Sequence, residues 1–275
     1  MHIQMVVFSE SKAGNAPSEW EDGACGGVMG DSGRDQVPSR ARFVVADGAT
    51  EAYDSVRWVD QLVTSFTARD DPGAAPRLEP TAMRTWFARM QDRWERESPR
   101  VFESIIEERA FTEVGSFATL LGCELTGLDG EEPSWHAVAL GDTVMFHVRR
   151  NRLLTAFPPL GPDDFGSRPD GAYTLRSKLD RMSRSLLSGH GTLAPDDLLF
   201  AATDAMAHWI IRAAARDEKK VWVVLSAIAH PDDFARLVHD QRRASQKAER
   251  MKNDDVTLLR LRLLPDRPSF VLTCL

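Results

Sequence analysis

Cysteine is scarce in this chain, and its placement removes several chemistries at once. Cys25, Cys123 and Cys274 are the 3 cysteines among 275 residues. They form no C-x-x-C pair and are odd in number, so neither a zinc knuckle nor a disulfide framework follows. Histidines are not clustered with them at zinc-ligand spacing. Basic charge is also short: 34 Lys and Arg stand against 41 Asp and Glu, a formal charge of -7. That balance argues against a nucleic-acid surface. The stretch 236–252 carries Arg242, Arg243, Lys247 and Arg250, but Asp240 and Glu249 interrupt it, and it reads as a solvated helix face. No apolar run approaches a membrane span, and no basic segment leads into a signal-length apolar core. The expectation is a cytoplasmic protein with no nucleic-acid and no membrane partner. Internal repeats are absent as well.

What is present suffices for a full core. With 43% hydrophobic residues in 275, one domain over 1–275 is the default. Strands are predicted at Ile3–Phe8, Ala24–Met29 and Arg42–Ala46. From Ser55 the period lengthens: Val56, Val59, Leu62, Val63 and Phe66 form one helical stripe, capped by Asp54 or Ser55. A second helix, Thr81 to about Glu97, aligns Met83, Trp86, Phe87, Met90 and Trp94, a stripe that reads as core and not as a ligand cage. Ser98-Pro99 breaks it before a shorter helix through Ile105. Phe117–Glu124, His136–Leu140, Thr143–Val148 and Leu153–Ala156 read as a meander with hairpin turns at Gly141-Asp142 and Arg150-Asn151. The Pro, Gly and Asp-rich segment 157–173 reads as a functional loop. A helix near Ser177–Leu187, a strand Leu198–Ala202 and a helix from Asp204 follow. Helical stretches at about Glu218–Ile228 and Pro231–Glu249 lead to a last strand, Val256–Leu263. Helix pairs alternate with groups of strands and no βαβ repeat occurs, so the class is α+β, antiparallel sheets covered by helices.

Acidic residues end the apolar runs. Asp47 follows F-V-V-A, Asp204 follows L-L-F-A-A-T, and Asp254 precedes V-T-L-L-R-L-R-L. Each alone reads as a turn or helix N-cap. Collected at strand ends, such carboxylates repel one another unless divalent cations sit between them. Six blocks stand in order: Glu21-Asp22, V-A-D-G at 45–48, G-S-F-A-T at 115–119, A-L-G-D-T at 139–143, A-T-D-A at 202–205 and N-D-D-V-T at 253–257. Together they resemble the successive motifs of the metal-dependent PP2C-type protein serine/threonine phosphatases, from about Glu19 to Leu264.

The resemblance implies an αββα sandwich of two antiparallel sheets between helical layers. It implies a phosphatase hydrolysing phosphoserine or phosphothreonine in a protein substrate through water activated by two Mn2+ or Mg2+ ions. Asp47 would bridge the ions, Gly48 would offer its carbonyl, Asp204 and Asp254 would complete the shell of the second metal, and Glu21 and Asp22 would hold waters or ligate. Asp47, Asp204 and Asp254 are the catalytic candidates. No cysteine has an arginine six positions on, so the C-x5-R chemistry of cysteine phosphatases is excluded. Several positions depart from the family. Pro17 stands where a phosphate-gripping arginine is usual, leaving Lys12 as the candidate replacement. Ala49 replaces a histidine of some members, Ala205 a glycine and Asp255 an asparagine; Asp255 either binds metal or raises a neighbour's pKa. Asp142 is a candidate ligand of a third metal, with His208 where its partner carboxylate is usual, or the two are a turn residue and a helix-face residue. His136, His147 and His190 read as strand-surface or loop residues. The rival from another class is a pseudophosphatase, a phosphoprotein-binding or regulatory module.

Overall fold

Period-two alternation in the apolar strands sorts their side chains to two faces, and both are covered. The structure, a computed structural model, describes residues 2–16, 19–29, 39–50, 52–68, 75–98, 101–130, 132–166, 169–246, 249–265 and 270–274. One sheet runs β12(Phe270–Cys274), β1(His2–Glu10), β11(Val256–Leu264), β10(Leu198–Ala202), β6(Val144–Arg149), β7(Arg152–Phe157). The other runs β2(Asp22–Met29), β3(Arg40–Gly48), β4(Phe117–Thr126), β5(Ser134–Leu140), β9(Leu187–Thr192), and β8(Ala172–Tyr173) pairs with β4. The pairings are antiparallel except that β12 lies parallel to β1. Phe43 and Val45 of β3 join Leu121 and Cys123 of β4 and Leu199, Ala201, Leu259 and Leu261 of the facing sheet in the layer between the sheets. Their neighbours Val44 and Ala46 turn outward.

Helices close the outer faces. Over the second sheet lie α1(Ser55–Thr67), α2(Pro80–Glu97) and α4(Leu179–Ser185), with Trp58, Leu62, Phe66, Trp86, Phe87 and Met182 in that layer. Over the first lie α5(Asp204–Ala227) and α6(Pro231–Arg242), contributing Trp209, Ile210, Trp222, Phe234 and Val238. Each such fully buried apolar side chain stabilises by roughly 1.5–3 kcal/mol. The expected αββα sandwich is therefore the observed one, and the α2 stripe is core as read. Val56, placed on the α1 stripe, is instead 45% exposed. Inside α5, Asp217 departs from helical geometry (φ -153°, ψ 86°), so the helix divides close to the two stretches predicted.

The meander is corrected. The segment Gly141-Asp142-Thr143 is no hairpin: β5 belongs to one sheet and β6 to the other, so these residues carry the chain across the sandwich. Gly141 permits this with φ +100°, where an added Cβ would lie 2.5 Å from the Asp170 carbonyl oxygen. The short helix expected to end at Ile105 instead begins there, as α3(Ile105–Arg109), and continues as a π turn over Ala110–Val114. Leu187 starts an edge strand, and α6 stops at Arg242, short of the predicted Glu249. His147 is not on a strand surface; it is buried at 3% exposure.

Candidate active site

The layer between the sheets is apolar along its length and polar at one end, because the strand alternation simply continues with different residues. Asp47 pairs with Asp22 on β2 and with Thr119 on β4. Directly opposed residues share a face, and for Asp47 that is the face of Val45, turned toward the other sheet. Thr143, Thr203 and Thr257 extend the inward parity of Met145, Ala201 and Leu259 from the facing sheet. The two sides meet: the Thr119 and Thr143 hydroxyl oxygens lie 2.6 Å apart, and Thr203 Oγ1 donates to Asp22 Oδ2 at 2.9 Å. Thr203 Oγ1 also accepts the Thr257 amide at 3.0 Å.

A cleft of about 580 Å3 opens over this end. Asp47, Gly48, Asp142, Asp204 and Asp254 line it, together with Lys252. Burial raises the Asp47 pKa well above the usual carboxylate range, and the charges of Asp22, Asp204, Asp142 and Asp254 raise it further. Among the described residues nothing donates a hydrogen bond to the Asp47 carboxylate. Asp142 is 4% exposed, and its Oδ1 is buried with no partner among the described residues. Burial, then Asp204, push its pKa up to about 7, against an opposing effect of its own amide and Lys252. Asp22 is raised too, first by burial, with the Thr257 and Thr203 hydroxyls opposing and Asp255 and Asp204 adding.

Asp197 shows the contrast. It is fully buried, but it accepts Arg149 Nε at 2.7 Å, His147 at 2.8 Å and the Ala194 amide at 2.8 Å. Burial works to raise its pKa, yet these partners bring it down to about 2. This carboxylate is built to be ionised within the fold; Asp47 and Asp142 are held protonated by burial and, after it, by neighbouring negative charge.

The other expected residues lie elsewhere. The Glu21 carboxylate accepts Thr50 Oγ1 and Ser55 Oγ, each at 2.5 Å, and so ties β2 to the start of α1; it does not line the cleft. Asp22 lines a second cavity of about 370 Å3, with Trp20 and Thr257. Lys12 stands outside the cleft lining, and what the fold uses is its backbone amide, which donates to Asp255 Oδ1 at 2.8 Å. Asp255 Oδ2 accepts the Glu21 amide at 2.9 Å. Asp255 thus clamps two segments by their amides, and its charge adds to the raised pKa of its neighbour Asp22. Gly48 packs so closely that a Cβ would sit 2.8 Å from the Glu21 carbonyl oxygen and 3.1 Å from Ser55 Cβ. His208 stacks on Phe165 with ring centroids 5.0 Å apart, and burial lowers its pKa, followed by Arg212. His208 thus lies on α5 with its ring against Phe165. Pro17 lies outside the described residues.

Sequence reading missed Lys252. Its ammonium lies 2.8 Å from Asp204 Oδ2 and 2.7 Å from Asp254 Oδ2. Burial works against the charged form, but Asp204 and Asp254 outweigh it and raise the lysine pKa. Its position directly before N-D-D was the one available signal. Among the described residues, no three His, Cys, Asp or Glu side chains converge as a ready metal-binding group. The donor set nevertheless suits a hard divalent cation: every donor is an oxygen, Asp47 and Asp142 have unused lone pairs, and their mutual repulsion calls for positive charge.

Solved structures share this architecture. The photosystem II phosphatase PBCP superposes with a TM-score of 0.57 at 12% identity, covering 95% of this chain and 98% of that one. The catalytic domain of the serine/threonine protein phosphatase PstP, in complex with two manganese ions, gives 0.56 at 13% identity over 96% and 99%. The S. agalactiae serine/threonine phosphatase gives 0.55 at 13% identity over 96% and 100%. No protein-family model matches the sequence, and no curated protein matches it. The fold is that of the PP2C-type serine/threonine phosphatases. No helix among the described residues is long and apolar enough to cross a membrane.

Proposed function

We propose that this chain is a single-domain, divalent-cation-dependent phosphoprotein phosphatase acting on phosphoserine or phosphothreonine in the cytoplasm, with Mn2+ or Mg2+ as cofactor. The observation that carries the reading is the state of Asp47: a carboxylate at the floor of an open cleft, without hydrogen-bond donors among the described residues, surrounded by four further aspartates. Such a group is costly unless a cation or a proton neutralises it. Asp47 and Asp142 are the residues that would hold the first ion, with Asp204 and Asp254 for a second. A divalent ion in this place supplies charge that acidifies bound water and neutralises a phosphoryl group. The chain contributes the rest. Thr119 and Thr143 fix the cleft floor by their mutual hydrogen bond, Glu21 anchors the β3–α1 connection that carries Gly48 and Ala49, and Gln91 fixes the wall. Its Nε2 donates to the carbonyls of Tyr173 and Leu175 at 2.9 and 3.1 Å.

Lys252 favours the second reading, a pseudophosphatase that binds phosphoproteins, because it already neutralises Asp204 and Asp254 in part. Hydrolysis of a phosphothreonine peptide with Mn2+, with Mg2+ and with chelator separates the two. Turnover that needs the ion supports the enzyme; tight peptide binding without turnover at any metal concentration supports the binding module, and undiminished turnover in excess chelator sinks the metal-dependent mechanism.

A further inference from the structure

The cleft carboxylates are unequally provided with positive charge. Asp204, at the first position of α5, and Asp254, just before β11, share the Lys252 ammonium, whereas Asp47 and Asp142 have no ion-pair partner among the described residues. The lysine is aimed by its neighbours. Met251 is 3% exposed, and its amide donates to the Gln241 carbonyl at 3.1 Å. Asn253 brackets Ala13 on the other side, accepting its amide at 2.9 Å and donating to its carbonyl at 3.2 Å. Arg242 Nη2 donates to the Asp254 carbonyl at 2.5 Å. The backbone on both sides is thus tied down, while the side chain itself is 56% exposed and has solvent to swing into.

One positive charge between two carboxylates leaves negative charge over, so the position still attracts a divalent ion. An ammonium and a metal ion cannot share the same oxygens at contact distance without strong repulsion. Any ion that takes Asp204 and Asp254 must therefore displace Lys252, and an ion at Asp47 and Asp142 need not. Lysine suits such a role, being a compact charge on a flexible stem and not a rigid fork. Resting on the metal-dependent reading above, we propose that Lys252 is a tethered counter-cation that competes with the second divalent ion for Asp204 and Asp254, so that the centre fills in two separated steps.

Mn2+ titration by calorimetry, with free Mn2+ followed by electron paramagnetic resonance, tests this on the full chain at fixed pH and ionic strength. Lys252→Met is expected to tighten the weaker Mn2+ step about tenfold or more and leave the tighter step nearly unchanged. Lys252→Arg, which keeps the charge, is expected to retain the weak second step. Lys252→Gln repeats the test should the Met variant fold poorly. Equal second-step affinity in the unmodified protein and both neutral variants overturns the lysine's role while leaving the metal reading standing. A Lys252→Arg protein that binds as tightly as Lys252→Met overturns it too. Absence of Mn2+ binding in every protein overturns both together.

Discussion

Asp197 accepts its hydrogen bonds from Arg149, His147 and the Ala194 amide, and Asp47 accepts none among the described residues. Replacing each by asparagine should therefore move stability in opposite directions. Asp197→Asn leaves the buried His147 imidazole and the partly exposed Arg149 guanidinium without their anion, and leaving buried hydrogen-bonding groups unmatched in this way costs about 1–3 kcal/mol. Asp47→Asn removes a carboxyl whose ionisation burial and then four neighbouring aspartates oppose, so the metal-free protein should gain stability at alkaline pH, where that carboxyl is forced to ionise, while Mn2+ binding and any phosphatase turnover fall by orders of magnitude. Urea unfolding in chelator reads both; an Asp47→Asn protein less stable than the unmodified one would show that its carboxylate supports the fold. The pH responses differ in sign. Asp142, raised to about 7, contributes stability in its protonated form that is complete below the ordinary carboxylate pKa and is lost as pH rises toward 7. Asp197, lowered to about 2, contributes stability above the ordinary value that is lost as pH falls through about 2. Asp142→Asn should accordingly flatten the decline in metal-free stability between about pH 4 and 7.

At the scale of elements, Arg260 of β11 holds the end of α5. Its Nη1 donates to the carbonyls of Leu225, Ser226 and Ile228 at 3.1, 3.0 and 2.8 Å, and its guanidinium lies 5.3 Å from the Phe8 ring centroid. These are the carbonyls a helix C-terminus leaves without partners. Arg260→Met should thus cost about 2–4 kcal/mol, and hydrogen exchange should accelerate first in 218–228; protection falling evenly over the whole chain would refute a local cap. Gly122 of β4 meets α1 the same way, with an added Cβ only 2.2 Å from the Phe66 ring, so Gly122→Ala should destabilise by about 1–3 kcal/mol. Elements like these were largely readable. Alternation located the strands, and the helical period located α1 and α2, because burial of one face leaves a periodic trace. What escaped depends on partners distant in sequence. The run G-D-T between β5 and β6 has the local chemistry of a hairpin, and only packing decides whether the next strand pairs with its predecessor or crosses the sandwich. The segment L-S-G-H-G-T has little strand propensity and becomes β9 because the edge of β5 supplies backbone partners. Asp47, Asp204 and Asp254 were legible because each borders a buried run, and Asp142 only through the A-L-G-D-T block; Lys252 was not, since no local pattern says which way an exposed lysine folds back.

For the molecule as a whole, the acidic end of the sandwich is a place where folding and protons are linked, and the proposed metal ions would join that linkage. The sheets bring Asp22, Asp47, Asp142, Asp204 and Asp254 to one end, and the first three are held above the ordinary carboxylate range, chiefly by burial. Near neutral pH the metal-free protein keeps part of its protons there, and a divalent ion binding the same oxygens must expel them. Metal affinity should therefore rise with pH until these groups are ionised without help, a window whose marked point is the value of about 7 for Asp142. An ion that binds only the folded chain adds about 2.7 kcal/mol at a hundredfold excess over its Kd. For a protein of this size that corresponds to a Tm gain of about 5–10 °C. The gain in Mn2+ or Mg2+ should be larger at pH 8 than at pH 6, with proton release measurable by titration in two buffers of different ionisation heat. Metal-free Tm should move the opposite way, falling from pH 6 to pH 8 as Asp142 ionises among its neighbours. A Tm gain equal at both pH values, with no protons released, would mean that ions bind elsewhere and that the carboxylate cluster is not their site.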